Sequence, residues 1–517
     1  MKRTRRTNAP KPMPPDIANK AVDIIIVGAG GSGLATAVSA AEHGASVLVL
    51  EKQSEPGGTT AMAVGSFTAA DTSLQKEAGV DDSVEAHAED AGKFPPPDYE
   101  AQNNDALRRH FLEHASDTFE WLRDMGLDFH GPSPEPPNRA PRMHNVVPAA
   151  RAYIYTLRQR LQQLGGELIC DTPVTRIAKD NGRVTGVEAT VNGRPKTFHA
   201  AKGVVLAAGD YAHAPDLIAR FKGDRFANIE GINKNAGGDG HRLAEDAGAR
   251  LINMDVTYGP ELRFVPSDKK DILDVLPAGG LITKLAGALM PLAPKPIVNT
   301  IIKRRLVAWQ HPEDALFTDG AMLVNQRGER FCNETQSPDR ELALAEQPHG
   351  YGYILLDKRL IDRYSEWPHF VSTAPEIAYA YVDDYLRLRP DVACKAHTLE
   401  ELAQKRDIDP AILKQTVEEF NKSEADAFGH EDKAAPLQAA PWVLLGPAKA
   451  YFTTTEGSPA CTLDGQVLDV NGQPIEGLYA VGQNGLNGQV LFGHGLHIAW
   501  AITSGRLVGG RLANGVD

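Results

Sequence analysis

Asp23-Ile-Ile-Ile-Val-Gly28-Ala-Gly30-Gly-Ser-Gly33, running on to Val47-Leu-Val-Leu-Glu51-Lys52, is the stretch whose reading decides the fold. Ile24, Ile25, Ile26 and Val27 form an unbroken β-branched run, the pattern of a parallel strand covered on both faces. Gly28 allows a tight turn, Gly30 lets backbone approach a pyrophosphate, and Gly33 lets a helix pack close to the strand. Residues 31–42 read as that helix, with Gly31 and Ser32 in its first turn and its free N–H groups aimed at phosphates. Glu51 closes the second strand at the distance, roughly 20 residues on, where a carboxylate accepts ribose hydroxyl protons. An acid there disfavours a 2′-phosphate, which points to FAD or NAD rather than NADP.

The next residues separate those two. Lys52 is followed by Gly57-Gly58-Thr59-Thr60-Ala-Met-Ala63-Val64-Gly65. Small residues let backbone lie against a flat ring, and threonine hydroxyls reach phosphate or ring nitrogens, so this loop favours a flavin.

Composition is that of an ordinary globular protein: 517 residues, 42% hydrophobic and 23% charged. That length accommodates two or three domains. A formal net charge of −13 argues against a general nucleic-acid role. Cys170, Cys332, Cys394 and Cys461 are scattered, with no zinc or haem spacing, and suit a reducing cytoplasm. Residues 1–20 are basic and proline-rich without an apolar core, and read as a disordered leader. No run of about 20 apolar residues is present for a transmembrane helix.

Further along, residues 81–130 read as polar helix and 149–164 as amphipathic helix, while 132–148 reads as a proline-rich surface excursion. A strand over 167–174 places Val174 beside an adenine, and 176–189 is a hairpin turning at Asp180-Asn-Gly-Arg183. Gly203-Val-Val-Leu-Ala-Ala208-Gly209 is another buried strand ending in small residues. Asp239 is either the N-cap of the following helix or a cofactor contact.

The dinucleotide-domain rhythm breaks over 254–440, which is expected to be an inserted α+β capping domain. It divides an α/β, Rossmann-like domain into 21–253 and 441–517. Within the insert, 280–309 combines short apolar runs with Lys284, Lys295, Lys303, Arg304 and Arg305. It reads as a buried lid or dimer contact, or as a peripheral membrane contact. The last segment carries a strand ending at Gly482-Gln483, then Gly493-His494-Gly495-Leu496-His-Ile498, which opens a final helix toward the flavin ring.

As an ordered set, Val27-Gly-Ala-Gly-Gly-Ser-Gly33, Glu51-Lys52, Gly57-Gly58-Thr59-Thr60, Val205-Leu-Ala-Ala-Gly209, Gly238-Asp-Gly240, Gly328-Glu-Arg-Phe-Cys-Asn-Glu334 and Gly477-Leu-Tyr-Ala-Val-Gly482 resemble the fumarate reductase/succinate dehydrogenase flavoprotein family. That family includes the 3-ketosteroid dehydrogenases. The resemblance implies a GR2-type flavin domain, FAD, and hydride transfer between flavin N5 and a carbon next to an activating carbonyl. No histidine stands in the Thr59–Gly65 loop for a covalent link, so the FAD is expected to be non-covalent.

The chain departs from the family where dicarboxylates are held. Tyr451-Phe-Thr-Thr-Thr455-Glu-Gly-Ser has no histidine, nor does the stretch around Tyr258, and the expected arginine is displaced to Arg340. The Gly493-His-Gly495 triplet resembles instead the ketosteroid dehydrogenases, although Leu496 stands where they have a tyrosine. The expected reaction is formation or reduction of a C=C bond conjugated to the carbonyl of a bulky apolar, steroid-like ketone or enone. The electron partner is unassigned. Tyr351, Tyr353, Tyr258 and Arg340 are candidates for moving the proton, and His494 for polarising the carbonyl. The alternatives are a soluble dicarboxylate reductase, another flavoenzyme class, and a flavin-bearing, membrane-associated electron-transfer protein.

Overall fold

The structure is a computed structural model that describes residues 21–267, 303–304, 306–307, 311–374, 378–422, 426–429 and 435–515. The leader over 1–20 lies outside the described residues, as does most of 280–309. Among the described residues no helix is long and apolar enough to cross a membrane.

The opening stretch folds as its pattern requires. Strand β1 (Val22–Val27) is followed by helix α1 (Gly31–Glu42) and strand β2 (Val47–Leu50). Parallel pairing of Ile24 with Val47 through Val27 with Leu50 brings Glu51 beside the glycine turn. Strands β3 (Glu167–Ile169) and β4 (Arg194–Leu206) extend the sheet on either side. Ile24, Ile25 and Ile26 have no exposed surface, as a strand covered on both faces must. The hairpin of Val174–Asp180 and Arg183–Val191 turns through Asn181 and Gly182, both at positive φ.

A second, six-stranded sheet is built around β5 (Trp442–Phe452), which pairs with Glu261–Phe264, Tyr351–Leu356 and Ala393–Ala396. The sequence reading places β5 in the returning part of the first domain, 441–517. In the structure the strand pairs within this second sheet, and Val443, Leu444, Leu445 and Ala448 are fully buried in its core.

After β5 the chain re-enters the first sheet as β6 (Gln466–Leu468) and β7 (Pro474–Ala480), giving the order β6-β7-β4-β1-β2-β3. Helix α2 (Leu496–Asn514) then lies along α1. The two helices approach closely because Gly505 and Gly509 face the backbone carbonyls of Ser32 and Thr36, leaving no room for a Cβ. The start of α2 is thereby fixed relative to the glycine turn nearly 500 positions earlier.

Candidate cofactor cradle and active site

A cavity of about 430 Å³ opens at the tips of β1, β2 and β4. Its glycines divide into two kinds. Gly28, at φ +104, has Ala207 O only 2.5 Å from where a Cβ would stand, so it serves the close packing of β1 on β4. Gly30 and Gly209 have open space instead: the nearest described atom to a Cβ on Gly30 is 3.9 Å away, and none comes within 4 Å of one on Gly209. Both line the cavity, so side chains here would fill the volume a ligand takes.

Glu51 is 7% exposed and lies at the cavity wall. Its Oε2 accepts the Ala29 N–H at 2.7 Å and its Oε1 the Gln53 N–H at 2.8 Å. Each oxygen keeps a lone pair for a ribose hydroxyl. Thr60 Oγ1 accepts the Gly31 N–H at 3.3 Å, and Asn233 donates to Thr59 Oγ1 at 2.9 Å, which folds the Gly-Gly-Thr loop over the turn. Lys52 is paired with Asp239 at the rim and also donates to Asn235 O at 2.6 Å. Asp239 thus acts through its ion pair with Lys52; the N-cap of Asp239–Asp246 is Gly238.

At the far end Gln483 donates to Thr454 Oγ1 at 2.9 Å, and Thr454 donates to Asp210 at 3.3 Å. Burial pushes the Asp210 carboxyl up to about 6. Next to it His497, on the first turn of α2, holds Glu456 at 2.6 Å. The second oxygen of Glu456 is buried without a partner among the described residues. Tyr258 pairs with Thr454 across two short strands, and its ring meets Phe492 edge-on at 4.8 Å. Tyr99 lies 5.9 Å from the same phenylalanine, and Phe94, Val256 and Val490 complete an apolar cluster.

His494 stands at this wall, two residues beyond Phe492, with its side chain 52% exposed. Thr68 holds its turn by donating to His494 O at 2.7 Å. Its Nδ1 lies 2.5 Å from Glu135 Oε1, which also accepts the His494 backbone N–H at 2.8 Å. The bond to Glu135 raises the His494 pKa above the ordinary imidazole value. Across from it Arg263 is paired with Glu261 at 2.6 Å; burial pushes the Glu261 carboxyl up, but that guanidinium, His311 and the Thr453 hydroxyl together hold it below its usual range.

Of the expected cofactor residues, Gly28, Gly30, Gly31, Ser32, Glu51, Lys52, Gly58, Thr59, Thr60, Val174, Ala208, Gly209, Asp239 and Gln483 line the cavity. Others stand behind it. Gly33 packs on the Gly28 carbonyl, Gly57 donates to Ala29 O, and Gly65 O accepts the Tyr153 hydroxyl. Gly482 donates to Ser504, and Gly495 is the left-handed residue that opens α2. Leu496 and Ile498 turn into the core of the first domain instead of the cradle. Ala63 closes the short helix Gly58–Met62, and the side chain of Val64 is 50% exposed.

The expected proton-moving residues are not brought together. Tyr258 and His494 share one wall, with burial keeping the Tyr258 phenol protonated. Tyr353 is 5% exposed in the capping core, with Tyr351 packed against its ring, because both belong to a central strand of that sheet. Arg340 is buried and already engaged by Glu341, Asp314 and Glu334 O.

Asp210, Asn233, Asn235 and Thr172 line the cavity and were not anticipated, nor were Glu135, Glu456 and His497 beyond it. Only the first had a sequence signal, a carboxylate directly after the Gly209 strand end.

The match to known families runs over residues 23–489 and is to the FAD binding domain. The chain belongs to that family. The cradle fits its cofactor, FAD: Glu51 would accept from ribose hydroxyls, the N–H groups that open α1 would hold the phosphates, and space is left at Gly30 and Gly209. The chain is 26% identical over 509 residues to the NADH:fumarate oxidoreductase of Klebsiella pneumoniae, covering 96% of this chain and 48% of that protein, about half its length. It is 28% identical over 492 residues to the urocanate reductase of Eggerthella lenta, covering 91% of this chain and 71% of that one.

Among solved structures it superposes on the open conformation of a flavocytochrome c3 fumarate reductase. The TM-score is 0.71 at 23% identity, over 96% of this chain and 78% of the other. A 3-ketosteroid delta1-dehydrogenase from Sterolibacterium denitrificans gives a TM-score of 0.63 at 20% identity, over 96% and 99%. These two share the fold. The two sequence relatives named are a fumarate oxidoreductase and a urocanate reductase, and the likeness to the ketosteroid dehydrogenase is one of architecture alone.

Proposed function

We propose that the protein is an FAD-dependent oxidoreductase acting on a C=C or CH–CH bond α,β to a carbonyl, with an apolar ring-bearing ketone or enone as substrate. The observation that carries this reading is the aromatic cluster beyond the cradle, connected to the lining residue Gln483 through Thr454, which pairs with Tyr258. Tyr258, Phe492, Tyr99 and Phe94 form it, while the nearby guanidinium of Arg263 is paired with Glu261. A dicarboxylate needs donors free to neutralise two charges, whereas an apolar ring gains from burial against aromatic faces.

Bound FAD supplies the hydride acceptor or donor. The chain's own residues bind, orient and exclude water. The aromatic cluster holds the ring system, and the first-turn N–H groups of α2 offer a positive dipole end to charge that develops nearby. Non-covalent retention of FAD is part of this reading, and so is an external two-electron donor of unassigned class.

A second reading, reduction of a carboxylate-bearing enoate, is favoured by the names of the relatives and by His494 and His311 near the same wall. Steady-state turnover with chemically reduced viologen separates the two. The first reading expects kcat/KM for benzylideneacetone to exceed that for fumarate and urocanate by at least about 100-fold, the scale set by unpaired charge in an apolar site. The reverse ratio selects the second.

A further inference from the structure

Most of the molecule's buried charge is structural. Arg142, with Asp82 and Asp90, ties loops of the first domain, and Arg330, with Glu334 and Asp426, does the same in the cap. The His494–Glu135 pair, like His497–Glu456, joins a buried carboxylate to an imidazole, which can take up and release a proton, and of the two histidines His494 is the more exposed. The side chain of Glu135 is 5% exposed and that of His494 52%.

Both His494 bonds to Glu135 fall on one oxygen, at 2.8 Å from the backbone N–H and 2.5 Å from Nδ1. The other oxygen accepts from Asn138 at 3.3 Å. With Nδ1 held by the carboxylate, the tautomer is set and Nε2 is left over. None of the described residues bonds Nε2. A buried carboxylate that orients a half-exposed imidazole by its inner nitrogen is the arrangement that makes the outer nitrogen a proton carrier. The turn that bears it has little freedom, since Gly495 lies against Ser66 and Thr68 and Thr68 holds the His494 carbonyl.

We infer that His494 is the acid–base of the reaction proposed above, passing the proton through Nε2 at the carbon α to the carbonyl, with Glu135 as its positioning residue. The inference rests on that reading of the reaction. In the reducing direction bound reduced FAD would supply the hydride that makes the new C–H bond at the β carbon. The C=C electron pair moves onto the enolate. The pair then takes the proton from Nε2 to form the C–H bond at the α carbon and restore C=O. His494 is left neutral, and solvent returns the proton. In the dehydrogenating direction neutral His494 takes the α proton at Nε2, and bound oxidised FAD would supply the acceptor for the β-carbon hydride.

Glu135 is the charge that faces the imidazole directly. Glu261, Arg263 and His311 face it from the capping side, and the Glu261–Arg263 pair is close to neutral as a unit. Glu135 therefore sets the protonated form, as the raised His494 pKa reflects.

The test uses the holoenzyme, reduced anaerobically with one equivalent of dithionite and mixed with benzylideneacetone across pH from about 5 to 9. Reoxidation of the wild-type flavin requires protonated His494, so its rate falls as pH rises through that group. Substituting Glu135→Gln removes the charge that stabilises imidazolium and moves the fall to lower pH by about one unit or more. Glu135→Asp, which keeps the charge, holds the fall near its original place. His494→Asn, at a half-exposed position, keeps FAD bound with an unchanged visible spectrum, slows reoxidation by about 100-fold or more, and abolishes the pH-dependent limb.

A limb that stays in place in both His494→Asn and Glu135→Gln overturns the dyad while leaving the reaction standing. Wild-type flavin that no enone reoxidises at any pH overturns the reaction, and the dyad with it.

Discussion

Glu135 lies in a run of prolines, three residues after Pro132 and just before Pro136 and Pro137, and is nevertheless 4% exposed. Its side chain holds His494, 359 positions away, and accepts from Asn138. At the same scale the cradle depends on residues that leave space. Gly30 and Gly209 border the cavity with nothing of the described chain within 3.9 Å of a Cβ, whereas Gly28 and Gly33 are glycine because backbone is already there. Gly30→Ala is therefore expected to fold normally and to bind FAD about 10- to 100-fold more weakly, a loss of about 1.4–2.7 kcal/mol. Equilibrium titration of apoprotein checks the affinity, and an unchanged thermal midpoint of the apoprotein checks that the fold is intact. Gly33→Ala should differ by lowering that midpoint, since its Cβ meets the Gly28 carbonyl.

Elements divide by whether local pattern or distant pairing makes them. β1, α1 and β2 follow from an apolar run, a glycine turn and an acid, all within thirty residues, and the hairpin at 174–191 follows from Asn181-Gly182. Both were legible in the sequence for that reason. β5 carries the same apolar signal as a core strand of the first sheet. Only its antiparallel partners, up to nearly 200 positions earlier, place it in the cap.

The excursion at 132–148 was illegible for a related cause. Prolines mark it as irregular, and nothing local says that Arg142 buries itself between Asp82 at 2.7 Å and Asp90 at 2.6 Å. Those bonds anchor the segment that carries Glu135, and Asn138 links the two by bonding both Arg142 and Glu135. Arg142→Met would leave the buried Asp82 carboxylate without its bidentate partner and take one of three cationic partners from Asp90, which keeps Lys93 and Arg139, at a cost of about 3 kcal/mol.

Both acids are held below their ordinary values in the wild type, against the effect of burial, by these bonds among others. Their stabilising contribution is therefore present above the unfolded carboxylate pKa, near 4, and is lost as pH falls through the lower folded values. In Arg142→Met that advantage shrinks, so acid unfolding should begin at higher pH than in the wild type. Circular dichroism against pH reads the shift. Identical acid midpoints would contradict the structural role given to Arg142.

At the scale of the whole molecule, the first domain brings three distant pieces to one cavity. These are the glycine turn after β1, the strand ends of β4 and β7, and the start of α2. Close packing of α1 on α2 through Gly505 and Gly509 ties the first of these to the last. The cap contributes Glu261, Arg263 and the Tyr258 strand to the far wall, where His494 and Phe492 also lie. On the proposed reading, the residues that read plainly in sequence would hold the ADP half of the cofactor. The reacting half would face side chains drawn from the excursion, the cap and the last helix, and the chemistry proposed here depends on that convergence.

Photoreduction of the purified holoprotein under anaerobic conditions, followed by single additions of benzylideneacetone, a saturated ring ketone and fumarate, tests that chemistry most directly. The account predicts that the bleached flavin absorbance returns within seconds on adding the enone, with one molecule of saturated ketone formed per flavin, and returns far more slowly with fumarate. Flavin that fumarate reoxidises and the enone does not would contradict it. So would flavin that no enone reoxidises and no ketone reduces.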